Sequence, residues 1–323
     1  MNSDQSAADA AAVILSGGKS SRMGSPKALL LFDGEPLVVH VTRTLSHLFP
    51  EVVVVAAPGD QFVELSSLLR SQSNELDQVN KPKKLNEPKV TLIRDEVPHQ
   101  GPVGGIYYGL RVAGGEFCFV TSCDVPFLNA ALISYLLSQI SDYDVVVPYW
   151  QERFQPLCAV YRKSVAPLLK EQLDRGELRP IFLYEKVRTR KITEEEVRRF
   201  DPKGLSFFNM NSPEDYQAAV AVWENNRKNP PLTCTVELFG VPRLLAKTKE
   251  VSLSLPQQAT LADVFSALAQ KLPVLAGRVI NSEDRSLFSG YACNLNGLDF
   301  VRNPAAKINP GDKIFILAAD AGG

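Results

Sequence analysis

Ala10-Ala11-Ala12-Val13-Ile14-Leu15-Ser16-Gly17-Gly18-Lys19-Ser20-Ser21-Arg22-Met23-Gly24-Ser25-Pro26-Lys27 is the stretch on which the fold turns. An unbroken apolar run, Ala10–Leu15, feeds directly into a loop of small residues that holds the cations Arg22 and Lys27. An apolar run without alternation is what a strand covered on both faces requires, as in parallel α/β sheets. The end of such a strand is where an open α/β sheet binds phosphate. Glycines such as Gly17 and Gly18 let backbone N–H groups close on phosphate oxygens, since no Cβ stands in the way. Arg22 and Lys27 supply full charge that the backbone lacks. The spacing matches neither G-x-x-x-x-G-K-[ST] nor G-x-G-x-x-G, so neither of those phosphate fingerprints is predicted.

Working outward, strands are predicted at Ala12–Leu15, Val52–Ala56, Val90–Ile93, Phe117–Thr121, Asp144–Val147 and Cys158–Tyr161. Helical patterns lie between them at Pro36–Leu48, Gln61–Arg70, Val103–Val112, Asn129–Ile140 and Val165–Asp174. This alternation implies an α/β fold with a parallel, doubly wound sheet. Ser71–Lys89, rich in Asn, Gln, Lys and Pro, reads as a mobile surface insertion. Residues 1–9 are expected to be a disordered N-terminus. A first domain then spans 10–227, and a linker spans 228–232, where Pro230-Pro231 forces extension. The second domain, 233–323, carries the alternating strands Thr233–Phe239 and Val251–Leu255, the amphipathic helix Leu261–Leu272, and strands Tyr291–Leu295 and Lys313–Leu317. It reads as a small α+β unit.

Composition excludes several classes. With 323 residues and a net charge of −1, the chain gives no reason to expect nucleic acid as a partner. No apolar run approaches the roughly 20 residues that cross a bilayer. No basic residue precedes the first apolar run, so no leader is predicted. Five cysteines without a C-x-x-C argue against a disulfide framework or zinc site and fit a cytoplasmic location. The three histidines, His40, His47 and His99, show no metal-ligand spacing.

Three more signatures fall at strand ends. Asp95–Ile106 runs through a glycine-rich loop into a helix; Gly101 and Gly104 leave its backbone open to a flat ring, and Asp95 either orients the loop or only ends the strand. Ser122-Cys123-Asp124-Val125-Pro126-Phe127 ends the fourth strand with a carboxylate, and Mg²⁺ binds one or two carboxylates plus substrate phosphates. Asp124 is therefore the expected metal ligand. In Phe208–Asp215, Ser212 and Pro213 read as a helix cap and first helical position, and Asn211 is a candidate metal or phosphate ligand. Gln155 is a candidate substrate contact.

Leu15–Lys27, Gly101–Ile106, Cys123–Leu128 and Asn209–Asp215, in that order, resemble the molybdenum cofactor guanylyltransferases over about residues 10–225. The resemblance implies a Rossmann-like, GTP-binding nucleotidyltransferase domain with Mg²⁺ as cofactor. It implies catalytic roles for Arg22, Lys27 and Asp124. It also implies GTP contacts from Leu15, Ser16, Gly17, Gly18, Lys27, Asp95, Gly101, Gly104 and Asp124. Relatives that use CTP carry Ala-Ala-Gly in the first loop, and Gly17-Gly18 is similar to the guanine-type version. Ser16 stands where Ala is usual and Val103 where Leu is common. The implied reaction transfers GMP from GTP to the phosphate of molybdopterin and releases pyrophosphate.

At the other end, Pro310-Gly311-Asp312-Lys313-Ile314 and Ala321-Gly322-Gly323 resemble the ubiquitin-like sulfur carriers, specifically the small subunit of molybdopterin synthase. The thiamine sulfur carrier is the second likeness. This implies a β-grasp fold and a thiocarboxylate on Gly323, with an adenylylating activating enzyme and the synthase large subunit as partners. Ala318 and Ala319 stand where that family more often has prolines. Two other readings stay open: a CTP-using or sugar-phosphate nucleotidyltransferase, and a carrier or scaffold with an inactive first domain.

Overall fold

A computed structural model describes residues 9–17, 26–57, 62–69, 88–95, 100–281 and 283–319. The predicted disordered segment up to residue 8, most of the 71–89 insertion, Gly18, Arg22, His99 and Gly323 lie outside the described residues. Lys89, counted with the insertion, is instead the first residue of a strand. The chain separates into two compact units, Met1–Val220 and Ala221–Gly323.

The first unit is built on β1 (Ala10–Ser16), β2 (Glu51–Ala56), β3 (Lys89–Arg94), β4 (Phe117–Ser122), β5 (Val145–Trp150), β6 (Cys158–Arg162) and β7 (Thr189–Ile192). They form one sheet in the order β7-β5-β6-β4-β1-β2-β3, and a short strand, Arg153–Phe154, pairs with β5. Helices α1 (Leu37–Ser46), α2 (62–69), α3 (Gly101–Val112), α4 (Ala130–Ser138) and α5 (Ala166–Asp174) punctuate the strands, and α6 (Pro213–Lys228) starts in this unit after the last of them. The chain first runs from β1 out to β3, then returns to place β4 on β1's other side. Leu15 pairs with Val55 of β2 and with Ser122 of β4. The carboxyl ends of β1 and β4 thus lie side by side where the strand order reverses, the position at which open α/β sheets bind ligands.

The apolar run of β1 is explained by two core layers. Ala12 and Ile14 pack with Val52, Val54 and Phe119 on one face, while Val13 and Leu15 pack with Val53, Val55 and Val120 on the other. On the second face α3 comes unusually close. A Cβ at Gly109 would lie 2.3 Å from Val13 Cγ1, and one at Gly105 would lie 2.8 Å from Leu15 Cδ2. Two glycines four residues apart therefore let the helix settle onto the strand that runs into Gly17. Gly109→Ala is expected to destabilise the first unit by about 1–3 kcal/mol through overpacking. The midpoint of its urea unfolding transition measures this.

The sheet is not wholly parallel. β6 runs antiparallel to both β4 and β5. Only positions 151–157 separate β5 from β6, whereas a parallel return needs a dozen or more residues. β7 and the short helices Ile181–Tyr184 and Glu194–Arg198 were not predicted. Thr189-Arg190-Lys191-Ile192 is a polar edge strand, and Glu194–Arg198 is held by a capping box between Thr193 and Glu196 rather than by an apolar face.

In the second unit, β8 (Leu232–Leu238), β9 (Glu250–Leu255), β10 (Tyr291–Leu295), β11 (Asp299–Phe300) and β12 (Lys313–Ala318) form a sheet in the order β9-β8-β12-β10-β11. The central pair, β8 and β12, is parallel, and the other pairings are antiparallel. Helix α7 (Leu261–Lys271) buries Leu261, Val264, Phe265 and Leu268 in a core with Cys234, Val236, Leu253, Ile314 and Ile316. The hairpin turn at Asn296-Gly297 has both residues at positive φ, 59° and 75°, as this turn type demands. Only Asn229-Pro230-Pro231 separates α6 from β8. Among the described residues, no helix is long and apolar enough to cross a membrane.

Candidate functional site

Ser16 is buried at the end of β1, and its carbonyl accepts the Ala57 N–H at 3.0 Å. Gly17 follows, exposed, at a spot where a Cβ would strike the Ala57 methyl at 2.9 Å. Steric exclusion thus keeps position 17 small and its backbone open. Lys27 re-enters on a 3₁₀ turn, Lys27–Leu29, which Ala28 anchors in the core. Phe32, next along the chain, packs edge-on against His40 and Phe127. Tyr216 of α6 adds a hydrogen bond from its hydroxyl to the Leu31 carbonyl at 2.7 Å. The lysine backbone is therefore held from three directions.

Lys27 Nζ lies 2.8 Å from Asp124 Oδ2 and donates to Asn211 Oδ1 at 2.6 Å. Ser122 donates its hydroxyl to the other carboxylate oxygen, Asp124 Oδ1, at 2.5 Å. The two charged side chains are only partly open, 21% exposed for Lys27 and 13% for Asp124. Their attraction is less screened than that of a surface pair. Asn211 is placed by its backbone: the Met210 N–H donates to the Asp124 carbonyl, and the Asn211 and Ser212 N–H groups both donate to Asp215 Oδ2. Ser212 Oγ accepts from the Asp215 N–H at 3.2 Å, so the predicted cap forms at the start of α6. His40, with ring nitrogens 3.1 Å from Glu35 Oε1 and from the Pro126 carbonyl, braces the loop just beyond Asp124.

The second glycine loop lies on the other side of β1. Asp95 follows the end of β3, its N–H bonded to the Ala56 carbonyl at 2.8 Å. Gly101 opens α3 at φ +59°, a left-handed conformation that favours glycine. Gln100 stands at the helix cap position without a side-chain cap bond. Its Oε1 is buried and has no hydrogen-bond partner among the described residues.

The structure brings Lys27, Asp124 and Asn211 into one cluster, with Leu15, Ser16 and Gly17 on the adjoining strand end. Asp95, Gly101 and Gly104 form a separate group at the start of α3. Gln155 is different: its amide lies 3.4 Å from the carbonyls of Trp150 and Arg153, where it braces the hairpin. Ser122 and Tyr216 support the cluster, but sequence reasoning gave them no part in it. Only the register of Ser122, paired with Leu15 at the end of β1, carries a signal.

The donor set around Lys27 fits a hard divalent cation. Carboxylate and amide oxygens converge from Asp124 and Asn211, and the lysine ammonium already lies between them. Among the described residues, no three His, Cys, Asp or Glu side chains gather to hold a metal. An ion here would take few protein ligands and fill its shell with phosphate and water. Cys123 takes no chemical part, because burial, with the adjacent Asp124 charge, pushes its thiol up to about 12. All five cysteines are buried and free. In the native protein none is expected to react with Ellman's reagent within minutes, and denaturant should expose all five.

Residues 12–189 match the family described as the MobA-like NTP transferase domain. The chain belongs to this family. It is a nucleotidyltransferase. Molybdenum cofactor guanylyltransferase from Desulfosudis oleivorans is 32% identical over 217 residues, which cover 67% of this chain and 96% of that protein. A probable molybdenum cofactor guanylyltransferase from Pelotomaculum thermopropionicum is 31% identical over 218 residues, 68% of this chain and 95% of its own. Among solved structures, molybdopterin-guanine dinucleotide biosynthesis protein A from Archaeoglobus fulgidus aligns with a TM-score of 0.51 at 24% identity. That alignment covers 67% of this chain and 99% of the other, and it bears on the fold alone.

Proposed function

We propose that the first unit transfers GMP from GTP to the phosphate of molybdopterin, releasing pyrophosphate, as a step in molybdenum cofactor biosynthesis. The observation that carries this reading is the cluster of Lys27, Asp124 and Asn211 beside Gly17 at the sheet's switch point. It occurs in a chain whose curated relatives are named for guanylyl transfer. An oxygen of the acceptor phosphate attacks the α-phosphorus of GTP. The bond from that phosphorus to the bridging oxygen breaks, and its electrons leave with pyrophosphate. Such a transfer needs little covalent help from protein, so positioning and charge neutralisation dominate. Leu15, Ser16, Gly17 and Gly18 hold the nucleotide near β1, with Asp95, Gly101 and Gly104 at the base end. Lys27, supported by Arg22, meets the charge that gathers on the α-phosphate and the leaving group. Asp124, with Asn211 beside it, would hold Mg²⁺, which when bound neutralises triphosphate charge.

We assign a β-grasp fold and a sulfur-carrier role to the second unit. The support is its sheet order, with the parallel pair β8 and β12 inside an otherwise antiparallel sheet, and the Gly322-Gly323 sequence beyond β12. In this reading an activating enzyme adenylylates Gly323, sulfur replaces the adenylate, and the thiocarboxylate enters the synthase large subunit.

Incubation with Mg²⁺, GTP and molybdopterin should yield the guanine dinucleotide product, identified by mass, together with pyrophosphate. Equimolar CTP should compete poorly. A cytosine product of equal yield, or transfer to sugar phosphates alone, would overturn the assignment.

A further inference from the structure

We propose that Asp201 is a positioning residue for nucleotidyl transfer: through Ser206 it locks the chain before Asn211 onto the chain after Asp124, and so sets how Lys27 is held between them. This inference rests on the reading of Lys27, Asp124 and Asn211 as the transfer site.

Asp201 is buried, 5% exposed, and among the described residues no cation pairs with it. A carboxylate taken out of water is costly unless hydrogen bonds replace its hydration. Here backbone groups replace it: Oδ1 accepts the Leu205 N–H at 3.0 Å and Oδ2 accepts the Ser206 N–H at 2.7 Å. The two bonds wind the 3₁₀ turn Leu205–Phe207. Gly204, just before it, lies against Trp150 at the end of β5, where a Cβ would come within 2.4 Å of the indole ring. A buried charge is a poor way to gain stability. What this one provides is direction, since its two oxygens fix two successive N–H groups at once.

The turn delivers the Ser206 hydroxyl, itself buried, to the loop beyond Asp124. Ser206 Oγ accepts the Asn129 N–H at 3.1 Å and donates to the Phe127 carbonyl at 3.4 Å. Asn129 in turn donates its side-chain amide to the Phe200 carbonyl at 2.9 Å. The rings of Phe127 and Phe208 meet edge-on, with centroids 6.2 Å apart. Residues 200–208 are thereby fastened to residues 127–129, and the Met210 N–H bond to the Asp124 carbonyl continues the same seam. Together these bonds fix the separation of Asp124 and Asn211, the two groups that hold Lys27 Nζ.

Asp201→Asn keeps the size of the side chain but sets an NH₂ group against one of the two N–H donors. Its kcat for GMP transfer should fall on the order of tenfold. Its KM for GTP should stay within about twofold, because the displaced groups meet charge that develops only during transfer. Ser206→Ala removes the hydroxyl and leaves the turn; it should lower kcat likewise. The double variant should be no slower than the slower single one, since both act along one path. A second readout needs no acceptor. Acetylation of Lys27 by an N-hydroxysuccinimide ester, followed by peptide mass spectrometry, should speed up several-fold in both variants as the clamp loosens. Leu169→Ala, in the opposite core layer, lowers Tm and should leave both readouts at wild-type values. Wild-type kcat and Lys27 acetylation in Asp201→Asn and Ser206→Ala overturn the proposal. So do losses that multiply in the double variant, or equal changes in Leu169→Ala. If Asp201→Asn does not fold, Ser206→Ala decides by the same two readouts. A wild-type chain that transfers no GMP overturns the transfer reading, and Lys27 acetylation alone then decides the claim on position.

Discussion

Asp124→Asn is expected to lower the rate of nucleotidyl transfer by on the order of 10²–10³-fold, the scale found when one electrostatic contact to a developing charge is lost. The substitution is nearly isosteric, so the fold should survive. The backbone carbonyl of Asp124 still accepts from Met210, and the new amide oxygen can still accept from Ser122. Lys27 loses its anionic partner but keeps Asn211 Oδ1 at 2.6 Å. What disappears is the negative charge that would hold a divalent ion against the triphosphate. The loss should therefore appear in kcat and in a raised requirement for Mg²⁺. Asp124→Ala should show the same loss, with a modest drop in Tm from the vacated, partly buried space. Single-turnover kinetics over a Mg²⁺ titration distinguishes these effects. An Asp124→Asn enzyme within threefold of wild type at ordinary Mg²⁺ would remove Asp124 from the chemistry.

Adding one alanine after Gly323 is expected to abolish sulfur transfer while leaving GMP transfer untouched. An activating site that adenylylates a C-terminal carboxylate must admit the chain end through a narrow passage, and two residues without Cβ atoms suit such a passage. A following alanine moves the carboxylate one residue outward and puts a methyl where none is tolerated. The change lies beyond β12, the last strand of the second unit. The readout is thiocarboxylate formation by mass spectrometry with ATP, a sulfur donor and the activating enzyme, alongside the guanylyl-transfer assay on the same sample. An extended chain that accepts sulfur as readily as the native one would refute the carrier role. Loss of both activities would point instead to general damage.

The legibility of this chain divides by physical cause. The runs at β1, β2 and β4 were readable because both faces of each strand are buried, which leaves no polar positions to interrupt them. The direction of β6 was hidden by that same property, since a strand buried on both faces looks alike whichever way it runs. Only the short connection at 151–157 betrays the reversal. β7 escaped because its Arg190 and Lys191 belong to an edge. Within the site, Asp124 and Lys27 were legible from chemistry at strand ends. Their meeting with Asn211 was not, since it depends on where α6 begins, and Met210 and Asp215 fix that through backbone hydrogen bonds.

The clamp on Lys27 also dictates a timetable. The lysine finds one partner 97 positions downstream and the other 184 positions downstream. A nascent chain thus carries the loop and its cation long before it carries both groups that hold them. Asn211 emerges only ten residues before Ala221, where the second unit begins, about half a second to two seconds of translation at roughly 5–20 residues per second. Truncated chains ending before Asn211 should therefore bind nucleotide poorly even with the whole sheet made. A single polypeptide that encodes both units finishes the last piece of one just as synthesis of the other starts.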